Sequence, residues 1–231
     1  MIQILVITNL FKLDRTYFYE RIEVNDLSIL IGRKPLFGDY KVWVQNISFE
    51  EFLEFANEDI ACELLDGVLV IHSPASFEHE SIFKFLLTMF DLIGLRKNIG
   101  RALGSRFVVK FGPKWGPEPD IIFFRNEKRE LVKKTFFEGI PDIIVEILSP
   151  SNREDDLNIK IPKYLSSGVP EVWVVDPKEK KVRIHYGSAE SNDFSDPESF
   201  LTSRMIPAIK IKLKWLWDED IDPLECLDSI L

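Results

Sequence analysis

A glutamate stands in the middle of an apolar run of strand length, and this run constrains the fold more than any other feature. The run reads PDIIVEILSP, and Glu146 lies inside it. Its length and composition predict a buried strand. An unpaired carboxylate in a protein core costs several kcal/mol. We therefore expect Glu146 to border a solvent-filled cleft, to pair with a cation or to bind a metal ion.

A second carboxylate occupies a comparable place in another apolar run. Asp120 follows Pro119 and begins a predicted strand over residues 120–124. If the two strands are neighbours and the side chains point the same way, the oxygens of Asp120 and Glu146 can meet on one ion. Hard oxygen ligands suit Mg²⁺ or Mn²⁺, which keep bound waters and also contact substrate phosphate groups. The pair predicts a metal site for phosphodiester hydrolysis.

Lys160 is the candidate third member of this site. It lies on a helix predicted over residues 155–167, directly after the Glu146 strand, and follows Asp156 by four residues. A lysine beside a metal-bound water can orient that water and stabilise negative charge developing on phosphorus. On spacing alone two simpler interpretations stay open. Glu146 could be the buried partner of a basic side chain, and Asp156 with Lys160 could be a helix-surface ion pair.

The rest of the pattern predicts a mixed α/β fold, with a central sheet flanked by helices. Ser48 is a candidate N-cap, and Asp66-Gly67 predicts a tight hairpin turn. A long buried helix is expected over residues 77–95. Strands are expected over residues 2–7, 27–31, 106–111, 172–175, 182–186 and 209–217. We divide the chain into a strand-rich N-terminal extension (residues 1–45), one domain (46–217) and an acidic C-terminal tail (218–231).

Charge and composition limit the classes of protein. The formal net charge is −9, which argues against a surface coated with basic residues for nonspecific nucleic-acid binding but permits a local basic cleft. The two cysteines, Cys62 and Cys226, have no metal-ligand spacing and are expected to be reduced thiols. The apolar start lacks the basic region and cleavage site of a signal peptide, and no apolar run is long enough to span a membrane. We therefore expect a soluble, cytoplasmic protein.

Several segments match a known family in order and spacing. They are ACELLDGVLVIHSPASFEH, GPEPDIIFF, PDIIVEILSPSNREDDLNIKIPKYLSSGVPEVWVVDP and IPAIKIKLKWLW. Over residues 48–217 the chain resembles the Uma-two family, whose members are restriction-endonuclease-like proteins of the PD-(D/E)XK nuclease superfamily. The resemblance implies a restriction-endonuclease-like core. It also implies a Mg²⁺-dependent (or Mn²⁺-dependent) DNA endonuclease that acts as a homodimer.

The resemblance also implies roles for particular residues. Asp120 and Glu146 match the metal-binding carboxylates, and together with Lys160 they would be catalytic. The usual lysine two positions after the glutamate is absent, because Leu148 stands there. The family is similar to those members whose lysine comes from the next helix. Glu63 matches a hairpin glutamate, and His79 matches a polar position at the start of the first long helix, so both are candidate supporting residues.

One feature of the helix bears on the lysine, and two other functions compete with cleavage. Pro162 removes a backbone hydrogen bond and is expected to kink the helix close to Lys160, in which case Lys163 is a substitute. The first alternative function is that of a catalytically inactive nuclease fold that acts as a nucleic-acid-binding or interaction module. The second is a structural protein in which Glu146 and Lys160 form a buried ion pair.

Overall fold

The computed structural model describes residues 47–55, 62–71, 75–149 and 156–230, together with the backbone of the strands within residues 4–45. The chain divides into two compact units. One comprises Met1–Pro74 and Lys110–Pro117, and the other comprises Ala75–Val109 and Glu118–Leu231. Within the described ranges, no helix is long and apolar enough to cross a membrane.

The first unit is built mainly of antiparallel strands. Its described elements are β1 (Ile4–Thr8), β2 (Tyr17–Tyr19), β3 (Ile22–Asn25), β4 (Ser28–Ile31), β5 (Lys34–Pro35), β6 (Tyr40–Gln45), α1 (Phe49–Phe55), β7 (Cys62–Leu65) and β8 (Val68–Ile71). The strands form one sheet in the order β2-β1-β6-β8-β7 and a smaller sheet in the order β3-β4-β5. The strands predicted over residues 2–7 and 27–31 appear as β1 and β4.

Local signals in this unit act as the sequence predicts. The Ser48 hydroxyl accepts a hydrogen bond from the Glu51 amide at 3.2 Å, and the Glu51 carboxylate accepts one from the Ser48 amide at 2.8 Å. This reciprocal capping starts α1. Asp66 and Gly67 have φ values of 50° and 75°, as the two-residue turn between β7 and β8 requires. Both predictions are confirmed, because each depends only on neighbouring residues.

The second unit contains the long helix and the larger sheet. Its elements are α2 (Phe77–Arg96), β9 (Gly100–Gly104), β10 (Val108–Lys110, reaching the unit boundary), β11 (Ile121–Arg125), β12 (Phe136–Glu138), β13 (Ile143–Ile147), α3 (Ile161–Ser166), β14 (Glu171–Asp176), β15 (Lys181–Tyr186), β16 (Glu190–Phe194), β17 (Phe200–Thr202), β18 (Lys210–Lys212) and α4 (Pro223–Asp228). A π-helical segment, Asp156–Lys160, precedes α3. The larger sheet has the order β16-β15-β14-β13-β11-β9.

The strand directions in this sheet confirm the mixed α/β fold. Strands β13 and β14 run parallel, because the π-helical segment and α3 cross over between them. The other neighbouring strands run antiparallel. Helix α2 packs its apolar side on one face of the sheet, and α3 contacts β14. Consecutive residues of a strand point to opposite faces, so Glu146 points away from its neighbours Val145 and Ile147, which belong to the core on the α2 side.

The C-terminal region departs from the prediction of one long strand over residues 209–217. The buried residues alternate at Ile209, Ile211 and Leu213, but strand pairing covers only Lys210–Lys212. A 3₁₀-helix, Leu213–Trp217, follows and buries Leu216 three residues after Leu213. The predicted strand was therefore too long. The acidic tail that follows contains α4, whose residues Cys226 and Leu227 are buried in the core.

Four described strands of the second unit, β9, β12, β16 and β17, were not predicted, and one predicted strand is shorter than expected. β9 (Gly100–Gly104) and β16 (Glu190–Phe194) are rich in small or polar residues, so their composition carries little strand signal. The strand predicted over residues 106–111 shortens to Val108–Lys110 because Ser105 and Arg106 have positive φ values of 56° and 67°. A Cβ atom at Gly104 in β9 would collide with the backbone oxygen of Asp120, so this position requires glycine.

Candidate active site

The two strand carboxylates face each other across the ladder between β11 and β13. Ile121 pairs with Val145 in this antiparallel ladder, so the next position places Asp120 opposite Glu146. Directly opposed residues in an antiparallel pair project from the same face of the sheet, with Cβ atoms about 5 Å apart. Burial raises the pKa of Glu146, and the negative charge of Asp120 adds to this shift. The expectation that these two strands are neighbours is confirmed.

Glu146 is almost fully buried, with 1% of its surface exposed, and its partners are side chains. The Tyr164 hydroxyl donates a hydrogen bond to Glu146 Oε1 at 2.6 Å, and Lys160 Nζ lies 2.9 Å from the same oxygen. Burial raises the pKa of Glu146 well above its ordinary value. The Lys160 ammonium opposes this shift, whereas Asp156 and Asp120 add to it. Ionisable groups thus surround this carboxylate.

The basic partner comes from the helical segment that follows β13. Lys160 is 4% exposed, and its ammonium also lies 3.3 Å from Asp156 Oδ1. Asp156 is itself buried, so the interpretation of this pair as a helix-surface contact is wrong. The pair is buried because the π-helical segment and α3 turn this face of the helix toward the sheet, where Glu146 lies.

Pro162 does not move Lys160 away from the carboxylate. The proline occupies the first turn of α3, where a missing backbone amide is tolerated, and the distortion appears before it as the π-helical segment. Asp156, Lys160 and Tyr164 are spaced by four residues, and all three are buried. Tyr164 was not predicted from the sequence, although this four-residue spacing was a signal for it. Lys160, rather than its proposed substitute Lys163, contacts Glu146.

Asp120 is the more accessible carboxylate, with 22% of its side chain exposed. Its Oδ2 accepts a hydrogen bond from the backbone amide of Ile147 at 2.6 Å, and its Oδ1 lies 3.3 Å from His79 Nε2. His79 stands in the first turn of α2, where its amide is capped by the Ser76 hydroxyl. The structure therefore brings His79 into contact with Asp120.

The imidazole of His79 is 12% exposed and faces two carboxylates. Burial lowers the pKa of His79, but the hydrogen bond to Asp120, its charge and that of Glu80 outweigh burial, so the pKa is raised above its ordinary value. His79 Nδ1 lies 3.4 Å from Glu80 Oε1, yet it makes no hydrogen bond with any described residue. The imidazole thus adds positive character beside Asp120.

The donor set suits a divalent cation. Three carboxylates, those of Asp120, Glu146 and Asp156, lie in this region, and the described ion pairs set Lys160 and His79 against them. Among the described residues, no group of three or more acidic, histidine or cysteine side chains is arranged to hold a metal. Mg²⁺ is commonly held by one or two carboxylates together with waters and substrate phosphates. Asp120 and Glu146 provide that number of hard oxygen donors.

Glu63, the other candidate supporting residue, belongs to the first unit. It lies in β7, and its side chain is 2% exposed. Its partner across the hairpin is Val70 in β8. Its supporting role stays a prediction.

Comparison with known proteins agrees with this architecture. Residues 49–214 match the model of the Uma2 family, described as "Putative restriction endonuclease". The chain belongs to this family. The match covers most of the chain, and it contains His79, both strand carboxylates and the helix that carries Lys160 and Tyr164. The predicted resemblance is confirmed.

A solved structure shows the same fold. A crystal structure from Anabaena variabilis ATCC 29413, described as a putative nuclease belonging to DUF820, is 22% identical in sequence and has a TM-score of 0.66. The alignment covers 74% of this chain and 97% of the Anabaena chain. A search of curated proteins gave no match. The likeness shows that this Uma2-family member and the Anabaena protein share a fold.

Proposed function

We propose that this Uma2-family protein is a divalent-cation-dependent DNA endonuclease that hydrolyses phosphodiester bonds. The observation that carries the proposal is the contact of Lys160 with Glu146 at 2.9 Å, with Asp120 opposite Glu146 in the sheet. Two carboxylates on neighbouring strands and a lysine on the helical segment that follows can together hold a divalent cation and stabilise the charge that develops in phosphodiester hydrolysis. The family match over residues 49–214 supports the same reaction class.

Each residue has a proposed role that follows from its surroundings. Asp120 and Glu146 would hold Mg²⁺ or Mn²⁺, which would supply Lewis acidity and lower the pKa of a water molecule. Lys160 keeps a positive charge at the buried end of the site, where negative charge on the phosphoryl oxygens needs compensation. His79 orients Asp120 through the contact between Nε2 and Oδ1.

A cleavage assay on supercoiled, linear and single-stranded DNA, with and without Mg²⁺, tests this proposal. Asp120→Asn, Glu146→Gln and Lys160→Met should each reduce the rate by about 100-fold or more, since each removes a charge that acts on the transition state. Asp228→Asn is a matched control, because Asp228 forms an exposed ion pair with Arg96. This control should cleave at the wild-type rate.

Measurements of DNA binding and metal binding beside the cleavage assay separate the alternatives. Binding of DNA without cleavage in any divalent metal would favour an inactive nuclease fold that acts as a nucleic-acid-binding module. Absence of both DNA binding and metal binding would leave Glu146 and Lys160 as a structural ion pair. We further propose that residues 46–217 form the nuclease domain and that the protein acts as a cytoplasmic homodimer, as symmetric assemblies suit duplex substrates. Sedimentation velocity would show a single monomeric species if the homodimer is wrong.

A further inference from the structure

A buried tyrosine hydroxyl points at the candidate metal ligand Glu146. Tyr164 lies on α3, and its side chain is fully buried. Its hydroxyl donates a short hydrogen bond to Glu146 Oε1, at 2.6 Å. A buried tyrosine hydroxyl needs such a partner, because leaving it unbonded costs free energy. The sequence of α3 thus places a polar atom where packing alone would accept phenylalanine.

Tyr164 and Lys160 act on the same oxygen. The hydroxyl and the ammonium of these residues both reach Glu146 Oε1, at 2.6 and 2.9 Å. Two donors on one oxygen restrict the rotation of the carboxylate about its last torsion angle. The direction of the other oxygen is restricted as well. Because Lys160 and Tyr164 are four residues apart on one helix face, a single helix holds both donors in register.

The two donors differ in charge. Lys160 is charged and is shared with Asp156, whereas Tyr164 donates a neutral hydrogen bond. A bound divalent cation would repel the ammonium electrostatically but not the neutral hydroxyl. The hydroxyl can therefore hold Glu146 in one orientation both with and without a cation at the site.

We propose that Tyr164 is a positioning residue that presets the Glu146 carboxylate for a divalent cation. This inference rests on the proposed function, since it assumes that Glu146 is a metal ligand. Partners that orient metal ligands commonly change metal affinity by about 10- to 100-fold when they are removed. Tyr164 would act through Glu146 and would not touch the substrate.

The experiment measures Mn²⁺ binding to the full-length protein by isothermal titration calorimetry, in the absence of DNA. Tyr164→Phe should raise the Kd for Mn²⁺ by about 10-fold or more. Tyr186→Phe is the matched control, because Tyr186 lies in β15 beneath the Arg204 guanidinium, which is 3.6 Å from its ring centroid. The control should bind Mn²⁺ with wild-type affinity. Incorporation of 4-aminophenylalanine at position 164 restores a donor and should recover most of the affinity.

The outcomes distinguish the two proposals. Wild-type affinity in Tyr164→Phe would overturn the positioning role and leave the metal site intact. No Mn²⁺ binding by the wild-type protein would overturn the proposed function itself. If Tyr164→Phe fails to fold, the 4-aminophenylalanine protein decides: near-wild-type affinity supports the role, and an affinity weakened by 10-fold or more in a folded protein contradicts it.

Discussion

Two glutamates on neighbouring strands of the same sheet are both excluded from solvent, yet they have different surroundings. Glu146 in β13 is 1% exposed and Glu171 in β14 is 0% exposed. Each accepts a hydrogen bond of 2.6 Å from an aromatic side chain, Tyr164 for the first and Trp173 for the second. Burial and the aromatic donor therefore do not distinguish them.

The remaining partners of Glu146 and Glu171 distinguish the two glutamates. Glu171 Oε2 accepts hydrogen bonds from the backbone amides of Arg204 and Met205, at 2.8 and 3.1 Å. These amides do not titrate, so Glu171 anchors the segment between β17 and β18 to the sheet. Glu146 instead contacts the Lys160 ammonium, and the nearby carboxylates Asp156 and Asp120 add to the rise in its pKa that burial causes. Clusters of interacting ionisable groups are typical of functional sites. A buried strand carboxylate thus indicates a site through its ionisable neighbours rather than its burial.

The largest expected effect on stability comes from removing the Lys160 ammonium beside Glu146. Lys160→Met should lower the free energy of unfolding by about 3–5 kcal/mol, because it removes the ammonium that compensates the charge of two buried carboxylates, Glu146 and Asp156. Combining it with Glu146→Gln should recover much of this loss. Urea denaturation in EDTA measures both. A loss below about 1 kcal/mol would mean that the pair behaves like an exposed ion pair, and the comparison would fail.

A smaller effect on stability is expected at Glu171. Glu171→Gln replaces one acceptor oxygen with an amide group that donates, and this group then faces donors of Trp173 or of the Arg204–Met205 backbone. The free energy of unfolding should fall by about 1–3 kcal/mol. The affinity for Mn²⁺ should not change, in contrast to Glu146→Gln. If calorimetry showed weaker Mn²⁺ binding by Glu171→Gln, Glu171 would belong to the metal site, and the distinction between Glu171 and Glu146 would fail.

The smallest effect concerns pH. The pKa of Glu146 is raised above its ordinary 4.5, because burial disfavours the charged form. Its contribution to stability is therefore fully present below pH 4.5 and is lost as the pH rises through the folded-state pKa. Glutamine cannot ionise. In EDTA, Glu146→Gln should gain stability relative to the wild type as the pH rises above 4.5.

Unfolding measured across this pH range in both proteins checks that expectation. A difference that stays constant with pH would show that Glu146 titrates alike in the folded and unfolded states. Adding Mg²⁺ should reduce the pH-dependent part of the difference, because a cation bound to the carboxylate favours its charged form.

Much of the candidate site was predictable from spacing. Asp120 and Glu146 are conspicuous because charged residues rarely lie in apolar strand patterns, and Lys160 follows on the next helix. Tyr164 was missed, although it continues the four-residue spacing of Asp156 and Lys160. A tyrosine in an apolar helix face is usually explained by packing. Only the distance from its hydroxyl to Glu146 indicates another role.

The sequence by itself determined the features that depend on neighbouring residues. These are the capped start of α1, the hairpin at Asp66-Gly67, the long helix α2 and the strands that carry Asp120 and Glu146. The tertiary structure decided which buried glutamate is an anchor and which lies in the candidate site. The reason is physical: a buried carboxylate is stabilised by partners distant in sequence, as Tyr164 is 18 residues from Glu146, and the Arg204 amide is 33 from Glu171. Such partners meet only when the sheet and its crossover helix have formed.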